Sequence, residues 1–385
     1  MRQIICISTA NWHPFPTRKQ QVMGRITGGR ILYFDPPVTY AAPLKDPGTK
    51  PRLKAYRDEG EALGKWLTIF AAPPVLPMYN KYRWVNKINQ RKLAGYIRKK
   101  MEDYGFQKPI LWTYTPTSAD ILDRIPHSAV VYDCVDRHAA YQGLIDPAVV
   151  NRMEEDLAKR ADVVFATAQG LYDTLKNYNE QTFLVPNGAN FEAFHKAAGD
   201  VELPFPDELF NVKNPILGFV GMLQECIDYR LVAHAAEVHP DWTFVFIGEP
   251  LPGVDISMLQ NRKNVRLLGF KPHRDLPRYL ARFDVCLNLF RAGDLSRDVS
   301  PLKFYEYLAT GKPIVSTPQP EQVLGYTDVV YLAGTPEEFV GACQRAITER
   351  DAWKKRQRIE FGRAASWDAR VADMENILKA RGVFV

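Results

Sequence analysis

The chain predicts an α/β protein of two lobes, each built on a mostly parallel sheet. Three observations carry that reading. The length of 385 residues suits two domains. Short apolar, β-branched runs alternate with segments of helical period. A proline-punctuated stretch at residues 203–215 interrupts the alternation once, near the middle. In the first half, strands are expected at residues 4–8, 31–34, 67–70, 110–113, 130–133, 163–167 and 182–185, runs rich in Ile, Val, Phe and Tyr. In the second half they are expected at 216–221, 243–248, 265–269, 285–290, 313–317 and 329–332. From Thr335, a plausible N-cap followed by Pro336, the pattern turns helical to the end, with Val371, Met374, Ile377 and Leu378 at helical spacing. The expected domains are therefore 1–203, 204–362 and a C-terminal helix, 363–385, returning toward the first domain.

Composition narrows the class further. Hydrophobic residues make up 46% and charged residues 24%, which excludes a disordered or low-complexity chain. The net charge of +6 says little globally, since nucleic-acid binders concentrate far more charge on one face; with no recognisable motif, nucleic-acid binding through the basic residues 79–100 is the weakest of three readings of that segment, and no nucleic-acid partner is expected. Five cysteines lie far apart with no C-x-x-C pair, against a disulfide scaffold or a zinc site. No apolar run approaches the roughly 18 residues of a membrane span, and the N-terminus lacks the long apolar region of a signal peptide. A cytoplasmic protein is the expectation.

Several strand ends carry chemistry. The first strand opens into a polar and aromatic loop, 11–21, with Asn11, Trp12, His13 and Arg18, at the strand end where open α/β sheets bind ligands; it reads equally as a substrate-contacting loop or as a solvated one. No G-x-G-x-x-G follows it, which argues against a dinucleotide-dependent dehydrogenase. The strand at 130–133 ends in Asp133, Asp136 and His138, a cluster able to orient a hydroxyl or stabilise an oxocarbenium charge; Asp136 serves equally well as a helix cap. Residues 186–188, Pro-Asn-Gly, read as a sharp turn. Residues 294–313 (DLSRDVSPLKFYEYLATGKP) lead a polar loop into a helix start suited to phosphate, with Arg297 and Lys303 supplying cations. Glu306 lies one turn beyond Lys303, so the pair either faces one ligand or forms an ordinary surface pair. Residues 79–100 hold eight basic residues and no acid, interleaved with Trp84, Ile88, Leu93 and Ile97. That pattern fits a basic amphipathic helix, either lying on an anionic membrane or packing its apolar side on the lobe.

These segments, in this order, resemble the GT-B glycosyltransferases, in particular the retaining family 4 group that builds bacterial cell-surface polysaccharides. The resemblance rests on residues 132–136 (YDCVD), 166–171 (ATAQGL), 185–188 (VPNG), 217–221 (LGFVG), 246–248 (FIG), 268–270 (LGF), 300–309 (SPLKFYEYLA) and 311–313 (GKP). It implies two Rossmann-like domains facing a central cleft, with C-terminal helices packing back on the lobes. It also implies a nucleoside diphosphate sugar, UDP-linked, as donor and a glycan or lipid-linked acceptor. The acids eight positions apart that mark the family's donor site correspond to Asp298, near the sugar, and Glu306, on the ribose. The cations that relatives carry after the glycine at Gly221 are absent here, so the phosphate role passes to Lys303 and Arg297, with Gly221 allowing close backbone approach. Ser300, Pro301 and Leu302 complete that helix start, and the base lies near Phe270, Lys271 and His273. Asp133, Asp136 and His138 position the acceptor and stabilise charge, and Asn11, Trp12, His13 and Arg18 contact it. No metal or other cofactor is implied. The expected function is hexosyl transfer with retention by a cytoplasmic enzyme, peripheral on the inner membrane face through residues 79–100. The alternatives are a nucleotide-sugar epimerase on the same fold and a non-catalytic nucleotide-binding or membrane-scaffold protein.

Overall fold

The computed structural model describes residues 1–14, 16–200, 202–293 and 296–384. Phe15 of the loop 11–21, Asp294 and Leu295 at the start of the segment 294–313, and Val385 at the end of the expected C-terminal helix lie outside the described residues. The chain divides into two compact units, Met1–Val185 with Val371–Val385, and Pro186–Arg370.

The first unit holds eight strands: β1 (Arg2–Ile7), β2 (Gly29–Asp35), β3 (Glu61–Leu63), β4 (Leu67–Ala71), β5 (Ile110–Thr113), β6 (Ala129–Cys134), β7 (Val163–Ala166) and β8 (Thr182–Leu184). Their order is β3-β4-β2-β1-β5-β6-β7-β8, parallel throughout except for β3 against β4. In register, Ile4 of β1 faces Ile31 of β2 and Ile110 of β5. Both faces are covered, which is why these strands read as continuous apolar runs. Ile5 and Ile7 pack with Leu32, Phe34, Leu93, Ile97 and Leu157 on one side, and Ile4 and Cys6 with Tyr33, Trp112, Phe165 and Met374 on the other.

The second unit holds β9 (Ile216–Val220), β10 (Thr243–Ile247), β11 (Val265–Leu267), β12 (Val285–Asn288), β13 (Ile314–Ser316) and β14 (Tyr331–Leu332), in the order β11-β10-β9-β12-β13-β14 and all parallel. Every strand expected from the sequence is present, within a few residues at each end. The unexpected one, β3, is a three-residue edge strand reading Glu-Ala-Leu, with no β-branched residue to announce it.

The division of the chain differs from the boundary expected at 203/204. Residues 186–203 belong with the second unit because the helix Phe191–Gly199 buries Phe191 and Phe194 among Ile216, Leu280, Phe304 and Leu308. Leu209, inside the proline-rich stretch, packs there too, so residues 203–215 are part of that unit rather than a linker. At the C-terminus, the helix Pro336–Ile347 carries a capping box between Thr335 and Glu338. The last helix, Trp367–Ala380, contains the division at 370/371, and its Val371, Met374 and Leu378 join the first unit's core.

Candidate functional site

In the second unit the strand order reverses between β9 and β12. Loops at the carboxyl ends of two such strands flank the crevice in which open α/β sheets bind ligands. The loop after β9 is zipped to the loop after β12: Asp228 N donates to Leu289 O and Arg291 N to Cys226 O, each at 2.7 Å. Arg291 is thereby held beside the loop that follows Gly221, where burial raises the Cys226 thiol and the Arg291 charge pulls the other way. Gly221 (φ 154°) meets not open space but Gly248 (φ 145°) at the end of β10, where a Cβ would lie 1.9 Å from the Gly221 carbonyl oxygen. Gly248 therefore tolerates no side chain, and the close approach inferred from the glycine at 221 is made within the protein.

Beyond β13's neighbour in sequence lies the helix Leu302–Thr310, whose N-cap is Pro301 with no side-chain cap, leaving the first-turn N–H groups without a capping side chain. One turn in, Glu306 is 3% exposed. Lys303 Nζ donates to its two carboxylate oxygens at 3.0 and 3.2 Å, and His273 Nε2 lies 3.0 Å from Oε1. Burial works to raise the Glu306 pKa, but the Lys303 charge and the His273 hydrogen bond outweigh it and hold the carboxyl below its ordinary value. Glu306 is thus an ionised, acceptor-only group, and Lys303 and His273 are both partly exposed. Lys303 and Glu306 do share one face, as their spacing implies, and in this structure they are paired with each other.

The other expected donor residues have partners of their own. Ser300 Oγ accepts from Asn187 N and Ser300 O from Asn187 Nδ2, both at 3.0 Å, tying the Pro-Asn-Gly turn to the helix start. Asn187 Oδ1 is buried without a partner, a polar atom that the sequence revealed only as part of a turn. Arg297 pairs with Glu321 at 2.9 Å, and Asp298 is buried at the end of the single 3₁₀ turn Ser296–Asp298. Lys271 pairs with Glu208 at 2.9 Å, and hydrogen bonds from Lys271 and Tyr279 pull that carboxyl down to about 2. The Phe270 ring is exposed, and its N–H donates to Glu249 Oε1.

In the first unit the strand order reverses between β1 and β5. Here the sequence expectations need correction. Asp133 is completely buried, and Arg18 Nε donates to both its oxygens at 3.0 Å. With Arg18 only 2% exposed, the two form an internal ion pair, and neither an acceptor-contacting Arg18 nor a substrate-facing Asp133 is present. The remaining members of the loop are dispersed. Asn11 Oδ1 accepts from Arg52, Trp12 packs edge-on against Tyr33 at 5.0 Å, and His13 is exposed beside Glu61. Asp136 is exposed and accepts from Tyr141 Oη at 2.9 Å, and the Tyr141 ring meets that of His138 at 5.3 Å. His138 itself is buried, with Nε2 lacking a partner; burial and the nearby Lys19 charge push its pKa down to about 4. Lys19 is also buried, its ammonium 5.6 Å from the centre of the Tyr114 ring, and burial lowers its own pKa against the pull of Asp136 and Asp133.

The model of the glycosyl transferases group 1 family matches residues 214–349, the part that contains β9 to β14 and Glu306. Over its full length the chain superposes on an E. coli trehalose-6-phosphate structure bound with UDP-2-fluoro glucose, with a TM-score of 0.69 at 12% identity, covering 98% of this chain and 99% of the other. The chain has the GT-B fold. This GT-B chain also superposes on Anabaena HepE in complex with UDP and glucose, with a TM-score of 0.63 at 14% identity, covering 99% of this chain and 100% of that one. In sequence it is 27% identical, over 256 residues, to a putative teichuronic acid biosynthesis glycosyltransferase of Bacillus subtilis strain 168. That match spans 62% of the GT-B chain and 64% of the relative, less than two thirds of its length.

Proposed function

We propose that the protein is a glycosyltransferase that moves a hexosyl unit from a UDP-sugar to a glycan or lipid-linked acceptor in cell-surface polysaccharide synthesis, with retention. The observation that carries the reading is the ionised, buried Glu306 at the start of an uncapped helix, flanked by partly exposed Lys303 and His273. A carboxylate so placed accepts from a pair of ribose hydroxyls. Lys303, Arg297 and Arg291, with the N–H groups of the helix start, face the diphosphate and stabilise the charge that develops on it as the glycosidic bond breaks. Asp298 stands near the sugar and the Phe270 ring near the base. The UDP bound in structures of the same fold and the teichuronic acid relative support the donor and the pathway class. Neutralisation of the diphosphate charge is assigned to these cations and to the N–H groups of the helix start. Calorimetric titration with UDP tests the site: Glu306→Ala should weaken binding by about 1.5–3 kcal/mol, and unchanged affinity would remove Glu306 from it.

Peripheral membrane contact is proposed from the helix Arg83–Tyr104. Its apolar stripe splits between the two expected readings: Leu93 and Ile97 are buried, while Trp84 and Ile88 are exposed next to exposed Lys87 and Arg91. Arg83, in contrast, is held by Asp120 and Asp156. No described helix is long and apolar enough to cross a membrane. Trp84→Ala with Ile88→Ala should abolish co-sedimentation with anionic vesicles, and retained sedimentation would refute the contact.

A further inference from the structure

The face that the helix Arg83–Tyr104 turns inward carries three amides among its apolar residues. It buries Asn86, Asn89 and Gln90 alongside Leu93 and Ile97, an arrangement that costs free energy unless the amides are satisfied. Two of them are: Asn86 Nδ2 donates to Thr117 O and Asp120, and Asn89 bonds both N and O of Leu76. Gln90 is satisfied only on its nitrogen, which donates to Asn86 Oδ1 at 3.3 Å; its Oε1 is buried without a partner.

That side chain borders a cavity of about 210 Å³ beneath the loops that follow β1, β2 and β5. The second unpartnered buried atom on its wall is His138 Nε2. Gln90 and His138 are 7% and 8% exposed, so both are more than nine-tenths buried and both keep a polar atom for something else. Tyr79 and Tyr141 add aromatic surface, and Asn80 and Thr117 further polar groups. Among the described residues no Asp, Glu, Lys or Arg lines the cavity. The space is large enough for one six-membered sugar ring with its hydroxyls.

We propose that this cavity binds a single uncharged pyranose ring, with Gln90 Oε1 and His138 Nε2 hydrogen-bonding its hydroxyls and the Tyr79 and Tyr141 rings against its faces. The wall discriminates against a sugar phosphate or a uronate because nothing on it can pair with their charge, and a buried, unpaired anion is strongly disfavoured. Asp136, outside the wall, holds the Tyr141 hydroxyl, and the positive charge near His138 is that of the buried Lys19, which is set against Asp136 and Asp133. The neutral state of His138, maintained by its burial and by Lys19, keeps the wall uncharged at neutral pH. The proposal deepens the transferase reading by naming the acceptor sugar's class, and it rests on that reading only for the word acceptor.

The test uses the intact protein at pH 7.5 with saturation-transfer NMR. Methyl glucoside and methyl galactoside are the neutral probes, and glucose 6-phosphate and methyl glucuronide their charged counterparts. The expected result is saturation by a neutral glycoside with at least tenfold preference over the charged sugars, and at least a fivefold loss in Gln90→Leu. Should Gln90→Leu fail to fold, the imidazole signals of His138 in the unaltered protein supply the readout, since a bound glycoside must shift them. Equal or stronger binding of the charged sugars, or undisturbed His138 signals at saturating glycoside, would overturn the proposal. Titration of the same samples with UDP separates the two claims. Glycoside binding without UDP binding leaves the cavity assignment standing and removes the transferase reading, and the converse removes only the cavity assignment.

Discussion

At the strand-order reversal of the second unit, a buried carboxylate, Glu306, sits within 3.0 Å of an ammonium and an imidazole. At that of the first unit, the cavity wall carries amides, hydroxyls and a neutral imidazole and, among the described residues, no charged side chain. The first unit has its charges too, but spends them internally: Arg18 and Asp133 cancel each other out of reach of solvent. Two parallel sheets reversing at the same kind of point therefore present opposite chemistries. The lesson is that topology places a binding crevice, while the pairing of a handful of ionisable groups decides what enters it.

The comparison breaks most visibly at Arg18. If its ion pair with Asp133 is internal, Arg18→Met leaves a buried, uncompensated carboxylate and should cost about 3–5 kcal/mol of stability, measured by urea unfolding. A variant of native stability with impaired acceptor use would instead return Arg18 to the binding surface.

Acid separates the two regions by pH window. His138 titrates near 4 in the folded protein and near 6.5 when unfolded, so the unfolded chain binds the extra proton between those values. The stability that His138 contributes is complete above about pH 6.5 and lost as pH falls through 4, a loss of up to about 3 kcal/mol. Glu306, whose folded pKa is also depressed, contributes stability that is complete above roughly pH 4.3 and lost as pH falls through its lower folded value. Denaturation followed from pH 7.5 downward should therefore soften first in a step that His138→Gln removes. An acid transition unaffected by that change would contradict the neutral, buried His138.

The smallest effect sharpens the charged side. Arg291 is exposed, so Arg291→Ala should weaken UDP binding by only about 1 kcal/mol, flatten its salt dependence and leave uridine binding unchanged. Equal loss for uridine and UDP in a titration would exclude a diphosphate contact.

Much of this was legible in the residues themselves. Continuous runs such as Ile4 to Ile7 and Val163 to Ala166 announce strands covered on both faces, and Thr335 with Pro336 and Glu338 announces a helix start, because these signals act over a few neighbouring residues. The spacing of Lys303 and Glu306 likewise placed them on one helical face. Sequence order alone could not reveal that Arg18 reaches Asp133, 115 positions away, or that Arg291 is held beside the loop after Gly221. Nor could it show that the helix after residue 82 turns Asn86, Asn89 and Gln90 inward and Trp84 and Ile88 outward, since hydropathy reads the reverse. Local periodicity and capping chemistry thus determined the elements and their alternation. Which charges cancel, which amides stay unsatisfied and where the chain divides were decided by tertiary packing, because burial and pairing depend on neighbours that are distant along the chain.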